Sequence, residues 1–416
     1  MGEGGKGSSR PGRRAGRSDR GVTRPGDDWP GAERPGGEAA APGKGRKQRR
    51  KSRAPRWARL CTVFGAVLMV LSGVTLGGFK VAVARLDSAV TEADLFGDEA
   101  AGTQKVADIK GPLNILLVGI DPRNETWKPL ADSIMVLHVN ATLDSAYLFS
   151  LPRDLVVRIP AFPKANFPGE TTKLNAAMSY GSRNPKKELP DAAQGFELLS
   201  MTVSKVTGIK RFDAGAIINF SGFQKIVDAM GGVTMYIDQN VKSEHKQPDG
   251  SPRKLKPGGG GYLGPQATYK KGTHHLKGWQ ALDYVRQRYP KNGVTDGDYG
   301  RQRHQQQFVR AMADQALSMD VVTNPIKLDR VLRAAGKSLI FSGRGHRLID
   351  FGFALRNLRS DTIQMIKLPG GGVFDARGKY QGEAFKPIAE EFFAALRDGT
   401  VDTFVMSHPE LLNKAK

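Results

Sequence analysis

One cysteine, Cys61, occurs in 416 residues, which leaves the rest of the chain without disulfides or thiol chemistry. Its stability must come from an ordinary hydrophobic core, and the residues beyond about 108 are numerous enough to supply one. Several catalytic signatures are also missing. The AAGKS stretch at 334–338 carries Val331 where a phosphate-binding loop needs its first glycine, which excludes nucleotide binding there. No GxSxG elbow supports serine hydrolysis. His274 and His275 are adjacent, with no second ligand pair spaced to share an ion with them, so zinc is not indicated. Internal repeats are absent.

Acidic residues are in deficit, at 41 against 63 Lys and Arg, for a net charge of +22. The excess is concentrated: residues 1–59 hold 17 basic and 6 acidic side chains. That segment is rich in Gly, Pro, Ser and Arg and poor in large apolar residues. It cannot bury enough surface to offset its ordering entropy and reads as a disordered basic tail on the cytoplasmic side. An uncharged apolar run follows at 60–79, long enough to cross a bilayer as a helix. The basic cluster from Arg46 to Arg59 orients this helix with its amino terminus inside, so the later residues are expected outside. The charged region is far longer than that of a cleaved signal peptide, which favours an uncleaved, single-pass anchor. Residues 80–107 read as a stalk, 108–400 as one folded domain and 401–416 as a tail.

Within the domain, short continuous apolar runs at 113–119, 133–139 and 146–151 read as buried strands. The five-residue link at 140–144 implies antiparallel neighbours. Apolar residues at helical spacing run from Phe196 to Val206, with Gly208 as a cap. A strand at 214–219 precedes a helix capped by Ser221, then a strand at 233–237 and a long loop at 238–276. A helix after Gly300 presents Phe308, Met312, Ala313 and Ala316. Residues 349–358 read as helix, 362–368 as strand and 384–396 as helix. The expected fold is α/β: a single layered α-β-α domain around a central mixed sheet.

Two features point to chemistry. If the first three strands form a meander, Asp121, Asp132 and Arg153 meet at one sheet edge. The segment 284–307, YVRQRYPKNGVTDGDYGRQRHQQQ, packs Arg286, Arg288, Arg301 and Arg303 around Asp296 and Asp298. Guanidinium groups are permanently charged forks suited to phosphate. This segment therefore reads as a site for a multiply charged anion, a solvated basic face being the alternative.

Six short motifs then occur in order: G-I-D-P-R at 119–123, A-D-S at 131–133, L-P-R-D at 151–154, K-L-N-A-A at 173–177, Y-V-R-Q-R at 284–288 and G-D-Y-G-R at 297–301. Their order and spacing resemble the LytR-CpsA-Psr family of membrane-anchored cell-wall proteins. The resemblance implies an extracytoplasmic phosphotransferase that moves a glycopolymer from a polyprenyl-pyrophosphate carrier to peptidoglycan through a phosphodiester. It implies Asp121 and Asp132 as ligands of magnesium, or of manganese in its place. Arg153, Arg286, Arg288 and Arg301 would clamp the pyrophosphate, with Asp298 and Gln305 orienting those arginines or the phosphate. Arg123, Lys173 and Asn175 would contribute to substrate binding. Two positions depart from the family pattern, Leu130 and His304 standing where arginine is usual, so one clamp contact is expected either to be missing or to be supplied by Arg123 or Lys173. Magnesium commonly takes one or two carboxylates plus substrate phosphates, and phosphoryl transfer relies mostly on positioning and charge neutralisation. Met135, Leu137 and Val227 fit either a groove for the carrier lipid or plain core. The same site would serve a polyprenyl-pyrophosphate hydrolase. A non-enzymatic, membrane-bound regulator of envelope functions or transcription is the other reading. An external arginine set argues against nucleic acid as the partner of the core, and the tail suits anionic lipid headgroups better.

Overall fold

The computed structural model describes residues 91–97, 108–122, 124–289, 293–294, 296–318 and 324–413, all of which fall in one compact unit. The basic tail at 1–59, the apolar run at 60–79, most of the expected stalk and Arg123 lie outside the described residues. Among the described residues no helix is long and apolar enough to cross a membrane.

Strand β1 (Thr91–Glu92) is followed by the meander β2 (Leu113–Ile120), β3 (Ala131–Val139) and β4 (Ala146–Leu151). A hairpin of β5 (Val156–Ile159) and β6 (Glu170–Lys173) leads to helices α1 (Ala176–Gly181) and α2 (Ala192–Thr207). Next come β7 (Ala214–Asn219), α3 (Phe220–Ala229) and β8 (Val233–Ile237). Asn219, not Ser221, caps α3, accepting from Gly222 N at 2.8 Å. The expected long loop contains β9 (Val241–Lys242), β10 (Lys254–Leu255), β11 (Tyr262–Leu263), β12 (Thr268–Tyr269) and β13 (Gly272–Leu276). These pieces are too short and polar to show a period of two, but β13 pairs along the whole of β8. Arg253 holds the excursion together, donating to the carbonyls of Ser243, Glu244, Tyr262 and Gly264.

Helices α4 (Gly278–Tyr284), α5 (Gly297–Ser318) and α6 (Pro325–Ala335) precede β14 (Leu339–Ser342), α7 (Leu348–Ala354) and β15 (Ile363–Ile366). The region expected as one helix from 384 instead ends a hairpin of β16 (Gly370–Phe374) and β17 (Tyr380–Phe385). Only then does α8 (Pro387–Arg397) begin, with Pro387 pre-set for a first helical position. Residues expected to be tail form α9 (Val401–Ser407), which buries Val401 and Val405.

The seven-stranded sheet runs β1-β14-β7-β2-β3-β4-β15 and is mixed, as expected from the strand–helix–strand order: β2 pairs antiparallel with β3 and parallel with β7. Side chains alternate across it. Leu116, Val118 and Ile120 of β2 face a core shared with Phe196, Leu199, Phe392 and Phe393 from α2 and α8. Leu113, Ile115 and Leu117 face the other way, toward α6 and α7. The core also begins earlier than the expected domain start at 108, since Leu95 is fully buried and Phe96 packs edge-on against Phe196 at 5.6 Å.

Candidate active site

The short links of the meander set the site. In the β2–β3 ladder Gly119 faces Ser133 and Ile120 faces Ala131, so Asp132 is the extra residue of a β-bulge. A bulge re-aims one side chain out of the regular alternation, and here Asp132 meets Arg153, which follows the end of β4. Arg153 Nη1 donates to Asp132 Oδ1 at 2.5 Å. Asp121, one residue past β2, accepts from Arg286 Nη2 at 3.2 Å. Because β7 runs parallel to β2 and ends opposite Ile120, Phe220 arrives at the same edge, and the Arg286 guanidinium lies 4.4 Å over its ring.

Arg286 and Arg288 follow the end of α4 with Gln287 between them. Gln287 is 1% exposed and turns inward, accepting from Glu244 N at 2.9 Å, while both arginines remain half-buried. Helix α5 begins at Gly297, a turn earlier than expected, so Arg301 lies in the second turn rather than the first. Arg301 Nη2 pairs with Asp298 at 2.8 Å. Burial lowers the pKa of Arg301, Asp298 and Asp132 oppose that shift, and the nearby charges of Arg153 and Arg288 reinforce it. Arg301 nevertheless stays protonated, because guanidinium does not lose its proton in the accessible range. The buried Nε atoms of Arg153 and Arg301 have no hydrogen-bond partner among the described residues. Crowded guanidinium groups with unused donors are what an incoming anion would relieve.

Gln305, one turn beyond Arg301, accepts from Ser133 Oγ at 2.9 Å. Lys173 Nζ lies 3.3 Å from Asp154, which also lies 3.8 Å from Arg153 Nε. Asn175 contributes through its backbone, donating to Arg153 O at 2.9 Å and accepting from Ala131 N. Arg303 leaves the cluster, pairing with Asp238 and Asp296. His304 is fully buried, stacks on Tyr284 at 4.5 Å and meets Asp238 at 3.1 Å. Burial opposes ionisation of Asp238, yet His304 and Arg303 hold its carboxyl well below the usual range. The histidine at 304 thus anchors α5 to the end of β8, and as placed it is not a lost contact of the arginine cluster. Leu130 is exposed on the loop between Asp121 and Asp132.

Against the cluster lies a cavity of about 290 Å³ between α3, α5 and the second face of the sheet. Leu117, Met135 and Ala216 of the sheet, Val227 of α3, and Phe308 and Met312 of α5 line it, with Ser133, Arg286 and Gln305. Met135 and Val227 therefore line a hollow, whereas Leu137 packs in the core beside it. Sequence reasoning missed His245, since the excursion that carries it has no periodic pattern. Burial first and then the charge of Arg286 push its imidazole down to about 4. Phe220, Tyr299 and Glu383 were also missed, although Tyr299 lies inside a quoted motif.

The LytR_cpsA_psr family matches residues 83–397. Biofilm regulatory protein A of Streptococcus mutans is 30% identical over 69% of this chain, which spans 64% of that relative's length. The polyisoprenyl-teichoic acid–peptidoglycan teichoic acid transferase TagV of Bacillus subtilis is 27% identical over 74% of this chain and 70% of its own. The crystal structure of Bacillus subtilis TagV superposes with a TM-score of 0.51 at 21% identity, covering 71% of this chain and 98% of the other, a likeness of fold. The matched span contains the meander, the bulge at Asp132, the arginine cluster and the cavity beside it, and this protein belongs to the LytR-CpsA-Psr family.

Proposed function

We propose that this protein transfers a glycopolymer from a polyprenyl-pyrophosphate carrier to peptidoglycan, forming a phosphodiester. One observation carries the reading: an apolar cavity has Arg286 and Gln305 in its wall, so a ligand joining a hydrocarbon tail to a multiply charged head is matched at both ends. The naming of a relative as a teichoic acid transferase supports it. Arg153, Arg286, Arg288 and Arg301 bind the pyrophosphate oxygens, Asp298 fixes the Arg301 fork, and Gln305 and Ser133 orient the head at the cavity wall. The experiment is product analysis with a prenyl-pyrophosphate-linked glycan, with and without peptidoglycan. Glycan joined to peptidoglycan through phosphate is expected. Release to water alone indicates a hydrolase, and no turnover a non-enzymatic protein.

Magnesium fits the residues present. Among the described residues no three His, Cys, Asp or Glu side chains gather into a closed cage, whereas Asp121 and Asp132 stand at one sheet edge beside the arginines. Magnesium is commonly held by one or two carboxylates together with substrate phosphates. Asp121 and Asp132 would hold the ion, which neutralises pyrophosphate charge when bound. Asp121→Asn and Asp132→Asn are expected to fold normally and to lose transfer about a hundredfold, the scale of one electrostatic contact to the transition state. Undiminished wild-type turnover in a chelator removes the metal from the reading.

The same proposal places the domain outside the cell, tethered by the run at 60–79. Protease added to intact, wall-stripped cells is expected to digest the large domain and to leave the basic tail. A protected domain reverses the orientation.

A further inference from the structure

Glu383 of β17 stands beside the arginine cluster and has no part in the reading above. Tyr380 Oη donates to its Oε1 at 2.8 Å and Tyr299 Oη to its Oε2 at 3.2 Å. Burial, then Glu383 itself, pushes both phenols above their ordinary range, so they remain protonated donors. Tyr299 is the residue after Asp298, the partner of Arg301. On the other side Lys173 Nζ lies 5.1 Å from the centre of the Tyr380 ring and 3.3 Å from Asp154, and Glu383 N donates to Asp154 O at 2.8 Å. A chain of contacts therefore runs from Arg153 through Asp154, Lys173, Tyr380, Glu383 and Tyr299 to the Asp298–Arg301 pair. Two glycines make room for it. A Cβ at Gly370 would lie 2.3 Å from Tyr299 Oη, and one at Gly382 would lie 2.4 Å from Asp154 O.

Two further observations single out Glu383. Asp121, Asp132, Asp154 and Asp298 each face an arginine or lysine, but Glu383 makes no ion pair among the described residues. Its position also differs from that of the cavity. Leu155 bridges to Glu383, and Leu155 and Phe385 pack with the first core, on the α2 and α8 side. The cavity residues Leu117, Met135 and Ala216 face the opposite side of the sheet.

We propose that Glu383 is the general base for the acceptor hydroxyl, and that β16–β17 forms the acceptor-sugar subsite; this rests on the transferase reading. Phosphoryl transfer sets the attacking and leaving oxygens roughly in line. With the departing carrier phosphate on the cavity side, the acceptor enters from the side of Glu383. The acceptor O–H proton passes to the Glu383 carboxylate, and the acceptor oxygen bonds to the phosphorus that bears the glycopolymer. The bond from that phosphorus to the bridging oxygen breaks, and its electron pair leaves on the polyprenyl phosphate. Phe374 and Tyr380, 60% and 39% exposed with ring centres 5.7 Å apart, offer apolar faces for the rings of a sugar acceptor.

The test is single-turnover transfer by the full chain from a prenyl-pyrophosphate-linked glycan to peptidoglycan fragments, with donor affinity and unfolding midpoint measured alongside. E383Q is expected to bind the donor within about twofold of wild type yet to transfer about a hundredfold more slowly, the range for general-base catalysis. E383A is the second variant, and added formate is expected to restore part of its transfer, a response that a structural role would not give. E383Q transfer within about threefold of an active wild type, against the hundredfold expected, overturns the base assignment alone. So does an equal loss of donor binding and transfer that formate leaves unchanged. A wild-type protein that transfers to no acceptor overturns the transferase reading and this assignment together.

Discussion

Arg301→Lys is expected to leave the protein folded while lowering transfer by about a hundredfold or more. Lysine keeps the positive charge beside Asp298 and so spares the buried pair, but it lacks the planar fork. Arg301 is nine-tenths buried, ties one Nη to Asp298 at 2.8 Å and has a buried Nε with no hydrogen-bond partner among the described residues. A bidentate phosphate contact there is worth roughly 1.5–3 kcal/mol per charge-assisted bond, and two such bonds correspond to about a hundredfold or more in rate. Arg301→Ala serves as the contrast. It leaves Asp298 half-buried without its partner and is expected to cost about 3 kcal/mol of stability, as breaking a buried pair generally does. Thermal unfolding and a transfer assay on both variants separate the two effects. Full transfer by the Lys variant would mean that the segment is ordinary basic surface.

Ala216→Trp is expected to abolish use of long-chain carriers while sparing a short-chain soluble donor. Ala216 lies on β7 and lines the cavity together with Met135, Val227 and Phe308. An indole there fills space that the proposed carrier tail would occupy. Each methylene kept out of an apolar site forfeits about 0.8 kcal/mol, so excluding four carbons costs roughly 3 kcal/mol, or about a hundredfold in affinity. The protein itself should lose little, because the new ring occupies a hollow rather than a packed position. The ratio of long-chain to short-chain turnover is the measurement. A ratio unchanged from wild type would show that the cavity is an unfilled part of the core and not a carrier site.

Several elements were legible because their signals are local. The strands at 113–119 and 146–151 are continuous apolar runs, and the short link between β3 and β4 admits only antiparallel neighbours. That reasoning brings the ends of β2 and β4 and the start of β3 to one edge, where Asp132 and Arg153 do meet. The excursion at 238–276 was not legible, since its two-residue strands are set by partners such as β8 and by the contacts of Arg253. The β16–β17 hairpin was missed for a related reason. Ala384 and Phe385 read as the onset of α8, and only the pairing of β17 with β16 makes them strand.

Residue types and short-range spacing therefore determined the fold class, the meander, the arginine set and the family resemblance. Each of these depends on local periodicity, on loop length or on the fixed chemistry of a side chain. The tertiary structure decided what those features do together. It turned Arg303 away to Asp238, buried His304 as an anchor, and joined Asp121 to Arg286 across 165 positions of chain. It also left a hollow where Met135 and Val227 could equally have been packed, and set Glu383 beside Tyr299. A cavity is a matter of which apolar side chains fail to meet, and an ion pair is a matter of which partner arrives. Both are properties of packing between distant segments, on which the periodicity of any one segment is silent.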